Sequence, residues 1–437
     1  MIGTEAAFQN IELEQFNKKI PDLIYQGKTL YSLMKDRFPK VPQSNITEGG
    51  STQRASMRVP FRVQGGPAIS QGTGNGDSMG SGNASVYQSF VGSPVYNYAV
   101  QQLTELSELA TKGKDRSTIG SLKAKELKNS LDSALNGFEA LLYGDGSGAL
   151  AQIPSTATIS SGSGSGNETS FITGLLATIC TDNQVLQFFP AEGGSSRGSA
   201  TVSVNDPVTG TIWFSTDLPS GTAVGDYIVV NGSSGAIGSG ILGTTSWINS
   251  STSGTQAGYN RALYPSRTSS PSINLNGGAV TASLSARIER LLGQAMGGDN
   301  KTKDSGIYLF GDDQAEAVAT TTYYQQRITQ QSDRASNNEV PDTSRKYFAG
   351  TFGQREVNIS YNQPRGRIDM LLTDSWLLGV LVDWSLYDYT GEGNFSMPVP
   401  DGSGNWTTAR QSCYRSALQV FCSAPRHQLF VENAAQP

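Results

Sequence analysis

Between Ala55 and Val91 the chain leaves the pattern of a compact domain and returns to it, and this excursion narrows the folds open to it more than any other stretch. Ala55, Met57, Val59, Phe61 and Val63 alternate in the period of a strand with one buried face. Gly65-Gly66-Pro67 follows, and Gln71 to Ser85 is almost wholly Gly, Ser, Asn, Asp and Thr. Val86, Phe90 and Val91 then turn back toward a core. Two β-leaning runs joined by a glycine-rich tip describe a long projecting hairpin, and a two-stranded ribbon is marginal alone. It has to lie on something, either this chain's own body or a neighbour. A linker without fixed structure between two domains is the competing reading of the same residues.

Composition fits a chain that spends surface on other protein. Charged residues are 16% of the 437, against about 25% in an average soluble domain. Ser, Thr, Gly, Asn and Gln take their place, with 50 glycines in all. A polar, loop-rich secreted protein has the same composition, so this signal is shared between two classes. The net charge of -5 argues against a dedicated nucleic-acid binder, which needs clustered Lys and Arg. Lys112, Lys114 and Arg116 are the nearest approach to such a cluster. The length exceeds what one hydrophobic core usually serves, so two or three packed regions are expected.

Two segments ahead of the middle read as helices. Pro21 to Phe38 carries Leu23, Ile24, Leu30, Leu33 and Met34 toward one face, with Pro21 suited to the first turn and Pro39 and Pro42 ending it. Ser117 to Tyr143 is the clearer one, with Ile119, Leu122, Leu127, Leu131, Leu135, Phe138, Leu141 and Leu142 in a stripe. At about 1.5 Å per residue it spans roughly 40 Å, a structural spine. It runs into Gly144-Asp145-Gly146-Ser147-Gly148, where glycines turn the chain.

Beyond it, a short helix is expected near Phe171 to Cys180, and then a β-rich block from Val185 to Trp247. Val185–Phe189, Thr201–Val204, Gly210–Phe214 and Tyr227–Val230 are its strand candidates, a small barrel or sandwich set into the main body. A helix over Thr281 to Met296, a buried strand at Ile307–Phe310 and a helix capped by Asp312 or Asp313 and reaching about Gln331 follow. Strands at Glu356–Tyr361, Ile368–Leu372, Leu377–Val382, Ala417–Cys422 and His427–Val431 close an α+β body without regular strand–helix repeats.

The residues offer no persuasive chemistry. His427 is the one histidine, and it is read as packed rather than catalytic. Gly76-Asp77-Ser78-Met79-Gly80 and Gly194-Ser195-Ser196-Arg197-Gly198 match a nucleophile elbow in letters but lack its strand-then-helix setting. Gly27-Lys28-Thr29 imitates the end of a phosphate loop, yet Asp22 stands where glycine is needed. No CxxC pair exists, and Cys180, Cys413 and Cys422 are read as buried thiols in a reducing compartment. Catalytic, cofactor and metal sites are therefore all expected to be absent. Met1 to Asn10 shows no secretory signal, and the densest apolar run, Trp376 to Trp384, is broken by Gly379 and Asp383, so no membrane span is expected.

The order of these parts carries a resemblance. The N-terminal arm, the glycine-rich β excursion, the leucine-rich helix ending Leu141-Leu142-Tyr143-Gly144-Asp145-Gly146-Ser147-Gly148, and the close Tyr414-Arg415-Ser416-Ala417-Leu418-Gln419-Val420-Phe421-Cys422 followed by Pro425-Arg426 resemble the major capsid proteins of tailed bacteriophages, with the HK97-like capsid fold. The resemblance implies an extended N-arm (1–42), a long β-hairpin E-loop (43–100), a peripheral domain (101–184) with the spine helix (117–143), an inserted small β domain (185–262) and an axial domain with returning strands (263–437). It implies self-assembly into hexamers and pentamers of an icosahedral shell around packaged double-stranded DNA, gripped without sequence specificity, in a virion assembled in the host cytoplasm. Scaffolding, portal and decoration proteins are implied partners. Some relatives join subunits from an E-loop lysine, and no lysine lies between Lys40 and Lys112 here. Leu30, Leu33, Met57, Val59, Phe61 and Val63 are the expected inter-subunit contacts, with Phe61→Asp expected to impair assembly more than folding. A β-rich extracellular adhesion or binding module is the alternative, and a hydrolase using Asp312/Asp313 or one of the GxSxG serines, Ser78 or Ser196, stands last.

Overall fold

A computed structural model describes residues 29–47, 55–64, 85–103, 135–160 (except 136 and 156), 170–173, 180, 184–230 (except 192, 193, 207 and 208), 240–296, 306–314 (except 312), 346–388 (except 351 and 352), 397–400 and 406–434. These residues fall into two compact units, each threaded from three stretches of chain. One draws on the spans Met1–Asp36, Val95–Gly243 and Val380–Leu418, the other on Arg37–Pro94, Thr244–Gly379 and Gln419–Pro437. The secondary structure is mixed α+β and dominated by strands.

In the first unit, residues 137–143 are helical and finish the stripe read as a spine. Leu135, Phe138, Leu142 and Tyr143 are buried there, while 117–134 lie outside the described residues. The turn after Tyr143 is shaped by glycine. Gly146 and Gly148 hold φ of 94° and 78°, and Asp145 Oδ1 accepts the Ser147 N–H at 2.9 Å. Gly240 and Gly243 pack backbone to backbone against this turn. A Cβ on Gly240 would stand 2.3 Å from Gly148 Cα, and one on Gly243 2.5 Å from Leu142 O. Glycine is needed on both sides because the two main chains touch.

The β-rich block is a seven-stranded antiparallel sheet. Its spatial order is Ala151–Gln152, Tyr227–Val230, Val185–Phe189, Gly198–Asp206, Thr211–Phe214, Ser170–Thr173 and Thr158–Ser160. Gly198–Asp206 turns the corner: its first half pairs with Val185–Phe189 and its second with Thr211–Phe214. Leu186, Phe188, Ala200, Val202, Ile212, Phe214 and Ile228 fill the inside. All four strand candidates form, but the block begins at Ala151 rather than Val185. Ser170–Thr173 is a strand where a helix was expected, because it completes the sheet beside Thr211–Phe214 and Ile172 joins its core. Residues 244–262 form no strand of this sheet.

In the second unit a six-stranded mixed sheet runs Ser272–Gly278, Leu429–Ala434, Ile368–Leu372, Gly306–Gly311, Gly353–Ser360 and Lys346–Gly350. The helix Ala282–Ala295 sets Leu284, Ile288 and Leu292 into one core with Tyr308, Phe310 and Met370. Gly306–Gly311 is buried along its whole length, as the unbroken apolar run Ile307–Phe310 predicts. The last strand begins at Leu429, and His427 belongs to the 3-10 turn Pro425–His427. The helix expected to reach Gln331 lies outside the described residues beyond Gln314.

Candidate assembly interface

The hairpin of the sequence reading is present in the second unit. Ser56–Gln64 pairs antiparallel with Val86–Gly92, from Met57 opposite Gly92 to Gln64 opposite Val86. The glycine-rich tip, 65–84, lies outside the described residues. Alternation does what the period predicts: Met57, Val59, Phe61 and Val63 are buried, and Arg58, Pro60, Arg62 and Gln64 are exposed.

What covers the buried face is this chain. Phe61 stacks on Phe90 at 4.1 Å between centroids, and Tyr259 meets Phe61 edge-on at 5.1 Å. Phe90 packs edge-on against Trp247 at 4.9 Å, and Trp247 lies beside Phe421 at 6.2 Å. Met57 Sδ occupies the space where a Cβ of Gly379 would stand. Met57, Val59, Phe61 and Val63 are therefore buried against this chain's own residues, where the sequence reading set them against a neighbour. Sequence pattern identified a buried face correctly, yet it has no means of saying whose residues bury it. Those residues, Trp247, Tyr259 and Phe421, lie far along the chain.

Leu30 and Leu33 are likewise covered by this chain. The helix Thr29–Arg37 buries Leu30, Tyr31, Leu33 and Met34. Within the first unit the Tyr31 ring meets Phe138 edge-on at 5.2 Å, and Phe138 meets Trp384 at 5.4 Å. The Tyr31 hydroxyl donates to Asp383 Oδ1 at 3.1 Å, and Lys35 Nζ reaches Asp383 Oδ2 at 2.6 Å. Burial, and then the Asp383 charge, push the Tyr31 phenol far above its ordinary value. The N-terminal part of the expected helix, 21–28, lies outside the described residues.

Among the described residues, two exposed surfaces carry large side chains. On the hairpin, Arg58 and Arg62 stand on the exposed face with Tyr87, which is 64% exposed and pairs opposite Arg62. The second surface lies in the first unit, where Val95–Leu103 pairs antiparallel with residues 410–418. Tyr96, Tyr98 and Val100 are exposed on one face, at 44, 60 and 56%. The two tyrosine rings stack at 6.4 Å, and the Arg415 guanidinium, opposite Tyr98, lies 4.5 Å over the Tyr387 ring. Desolvation, and then Tyr96, raise the Tyr98 phenol above its ordinary value. The sequence reading passed over this stripe. Its signal was the alternation Tyr96, Tyr98, Val100 in an uncharged run just after Pro94.

Of the candidate chemical residues, Asp313 and Ser196 make structural hydrogen bonds, while Lys28 and Ser78 lie outside the described residues. Asp313 Oδ2 accepts the Gly366 N–H at 2.8 Å, tying down a loop, while Asp312 lies outside the described residues. Ser196 Oγ accepts the Gly198 N–H at 3.1 Å just before a strand, not a helix. Cys180, Cys413 and Cys422 are buried free thiols. Among the described residues no group of three His, Cys, Asp or Glu side chains is placed to hold a metal ion. None of their helices is long and apolar enough to cross a membrane.

No family model matches the sequence, and no curated protein matches it. Solved structures do resemble the fold. The capsid asymmetric unit of cyanophage A-1(L) shares 10% identity, with 94% of this chain and 93% of that chain covered, at a TM-score of 0.48. The capsid of the native GTA particle gives 8% identity, 92% and 90% coverage and 0.42. A structure of Mycobacterium phage Bobi gives 9%, 93% and 90%, and 0.40.

Proposed function

We propose that this chain is a shell subunit without enzyme activity, a major capsid protein of a tailed phage with an HK97-like fold. Subunits assemble into hexamers and pentamers of an icosahedral virion shell that encloses double-stranded DNA. Scaffolding, portal and decoration proteins would be its further partners, with assembly in the host cytoplasm.

The observation that carries this reading is the order of elements. A short helix, Thr29–Arg37, precedes a β-hairpin. A leucine-lined helix then runs into the glycine turn at 144–148, and the seven-stranded β block follows. A helix on a mixed sheet, one long strand, Trp406–Cys422, and a last short strand, Leu429–Ala434, follow. That order supports the resemblance read from the sequence. The hairpin supports it physically. Its inner face is anchored in this chain, while its outer face offers Arg58, Arg62 and Tyr87, side chains that favour interfaces.

Electron microscopy of the purified full-length chain tests the reading. Closed shells, or rings of five and six subunits, are expected. Discrete monomers under all assembly conditions would contradict it.

A further inference from the structure

Among the described residues, the strand Val95–Leu103 has a partner on one side only. It is joined to residues 410–418, and among the described residues no strand pairs with its other edge. Proteins normally guard such edges with charge, proline, a bulge or extreme shortness. This one is nine residues long, contains no charged residue and no proline, and pairs in unbroken register from Leu103 opposite Arg410 to Val95 opposite Leu418. Beside it, Tyr96, Tyr98 and Val100 form an exposed apolar stripe. Arg415 adds a cation that forms no ion pair among the described residues, and its Nε is buried without a hydrogen-bond partner there.

We propose that this edge, with Tyr96, Tyr98, Val100 and Arg415 alongside, receives an extended segment of a second copy of this chain. A main-chain edge recognises another main chain by hydrogen bonding, and the alternate side chains give the contact its register. Tyr and Arg are the side chains that most often anchor interfaces. The second copy supplies complementary charge, since the chain carries a net charge of -5 while the described strand and its neighbour, residues 410–418, carry only arginines. The size of the contact is informative too. Nine residues at about 3.4 Å and a width of about 10 Å make roughly 300 Å², well below the ~800 Å² per partner of a stable pair. The contact therefore belongs to an assembly in which each copy makes several, and an isolated dimer is not expected.

This inference rests on the shell reading above, and the test separates the two. A benzophenone-bearing amino acid placed at position 98 of the full chain is irradiated under assembly conditions, and cross-linked peptides are mapped. The products should join position 98 to an extended segment of a second copy, shown by mixing isotopically light and heavy chains. Beside it, a Tyr98→Lys, Val100→Lys double variant should need at least tenfold more protein to assemble, while Tyr98→Phe assembles like the parent. Both altered residues are exposed, so the melting temperature of the unassembled chain should change little. If the parent assembles, links from 98 stay within one chain and the lysine variant assembles equally well, the edge contact is overturned and the shell reading stands. A parent that never assembles overturns both.

Discussion

Glu139 holds the start of the helix Thr29–Arg37 with both of its carboxylate oxygens. The Leu30 N–H donates to Oε1 at 2.9 Å and the Tyr31 N–H to Oε2 at 3.3 Å. The first N–H groups of any helix lack partners within it, and an anion there also meets the positive end of the helix dipole. A side chain 109 residues away in sequence from Leu30 thus holds the first turn of the helix Thr29–Arg37.

Removing that anchor should loosen the arm and leave the remainder folded. Glu139→Ala is expected to cost about 2 kcal/mol, since it strands buried N–H groups as well as losing the charge. Glu139→Gln keeps an acceptor and should cost about half as much. Denaturant unfolding gives the energies, and amide exchange should accelerate first at Leu30 and Tyr31. Unchanged exchange at those two amides would show that Glu139 is not the anchor.

Phe61 and Arg62 are adjacent, and their substitutions should separate folding from assembly. Phe61→Asp puts an unpaired carboxylate among Phe90 and Tyr259, so a loss of roughly 3 kcal/mol or more in stability is expected. This reverses the order of effects that the sequence pattern predicts. Arg58→Glu with Arg62→Glu changes only exposed positions, so the melting temperature should hold while the yield of particles falls. Thermal melts beside particle counts from the same preparations check both.

The hairpin also marks how far sequence reaches. Period-2 alternation from Met57 to Val63 identified the buried face residue by residue, because a strand's geometry is local. Val185–Phe189, Tyr227–Val230 and Ile368–Leu372 were bounded correctly for the same reason. Ser170–Thr173 was not, since its conformation is decided by Thr211–Phe214 across the sheet. Leu30, Leu33 and Phe61 read from sequence as contacts to a neighbour, and in the fold this chain's own residues bury them. Hydrophobicity says that a surface is covered, and only the fold says by what. The stripe Tyr96, Tyr98, Val100 was missed for the opposite reason, because exposure of an alternating strand is invisible until its other face is seen against the chain.

Gly306 makes room for a buried ion pair. Arg355 Nε lies 3.6 Å from Glu289 Oε1 with both side chains almost fully buried, and a Cβ on Gly306 would stand 1.8 Å from Arg355 Nη1. Gly306→Ala should force the guanidinium from its place and cost about 3–5 kcal/mol, the penalty for a broken buried pair. Glu289→Gln should cost a comparable amount by leaving the arginine uncompensated. If Gly306→Ala melts like the parent, the pair has a second arrangement and the glycine is not required.

Stability should fall in alkali. Burial pushes the thiols of Cys180 and Cys422 up to about 12, above the ordinary 9.0. Between those values the unfolded chain has released protons that the folded chain still binds, so stability declines as pH rises from about 9 toward 12. Below about 9 both states carry the proton and the thiols add no slope. Denaturant unfolding of the parent against a Cys180→Ala, Cys422→Ala variant should show a shallower alkaline decline in the variant. Identical slopes would mean that these thiols do not sense the interior.

The most direct measurement is sedimentation velocity of the full-length chain over a wide range of concentration. A shell built from many weak, repeated contacts predicts a threshold: slow species below it, and above it a sharp boundary of one large size with little in between. A single slow boundary at every concentration, or a smooth drift through dimers and trimers with no closed end point, would contradict the proposal that this chain is a shell subunit.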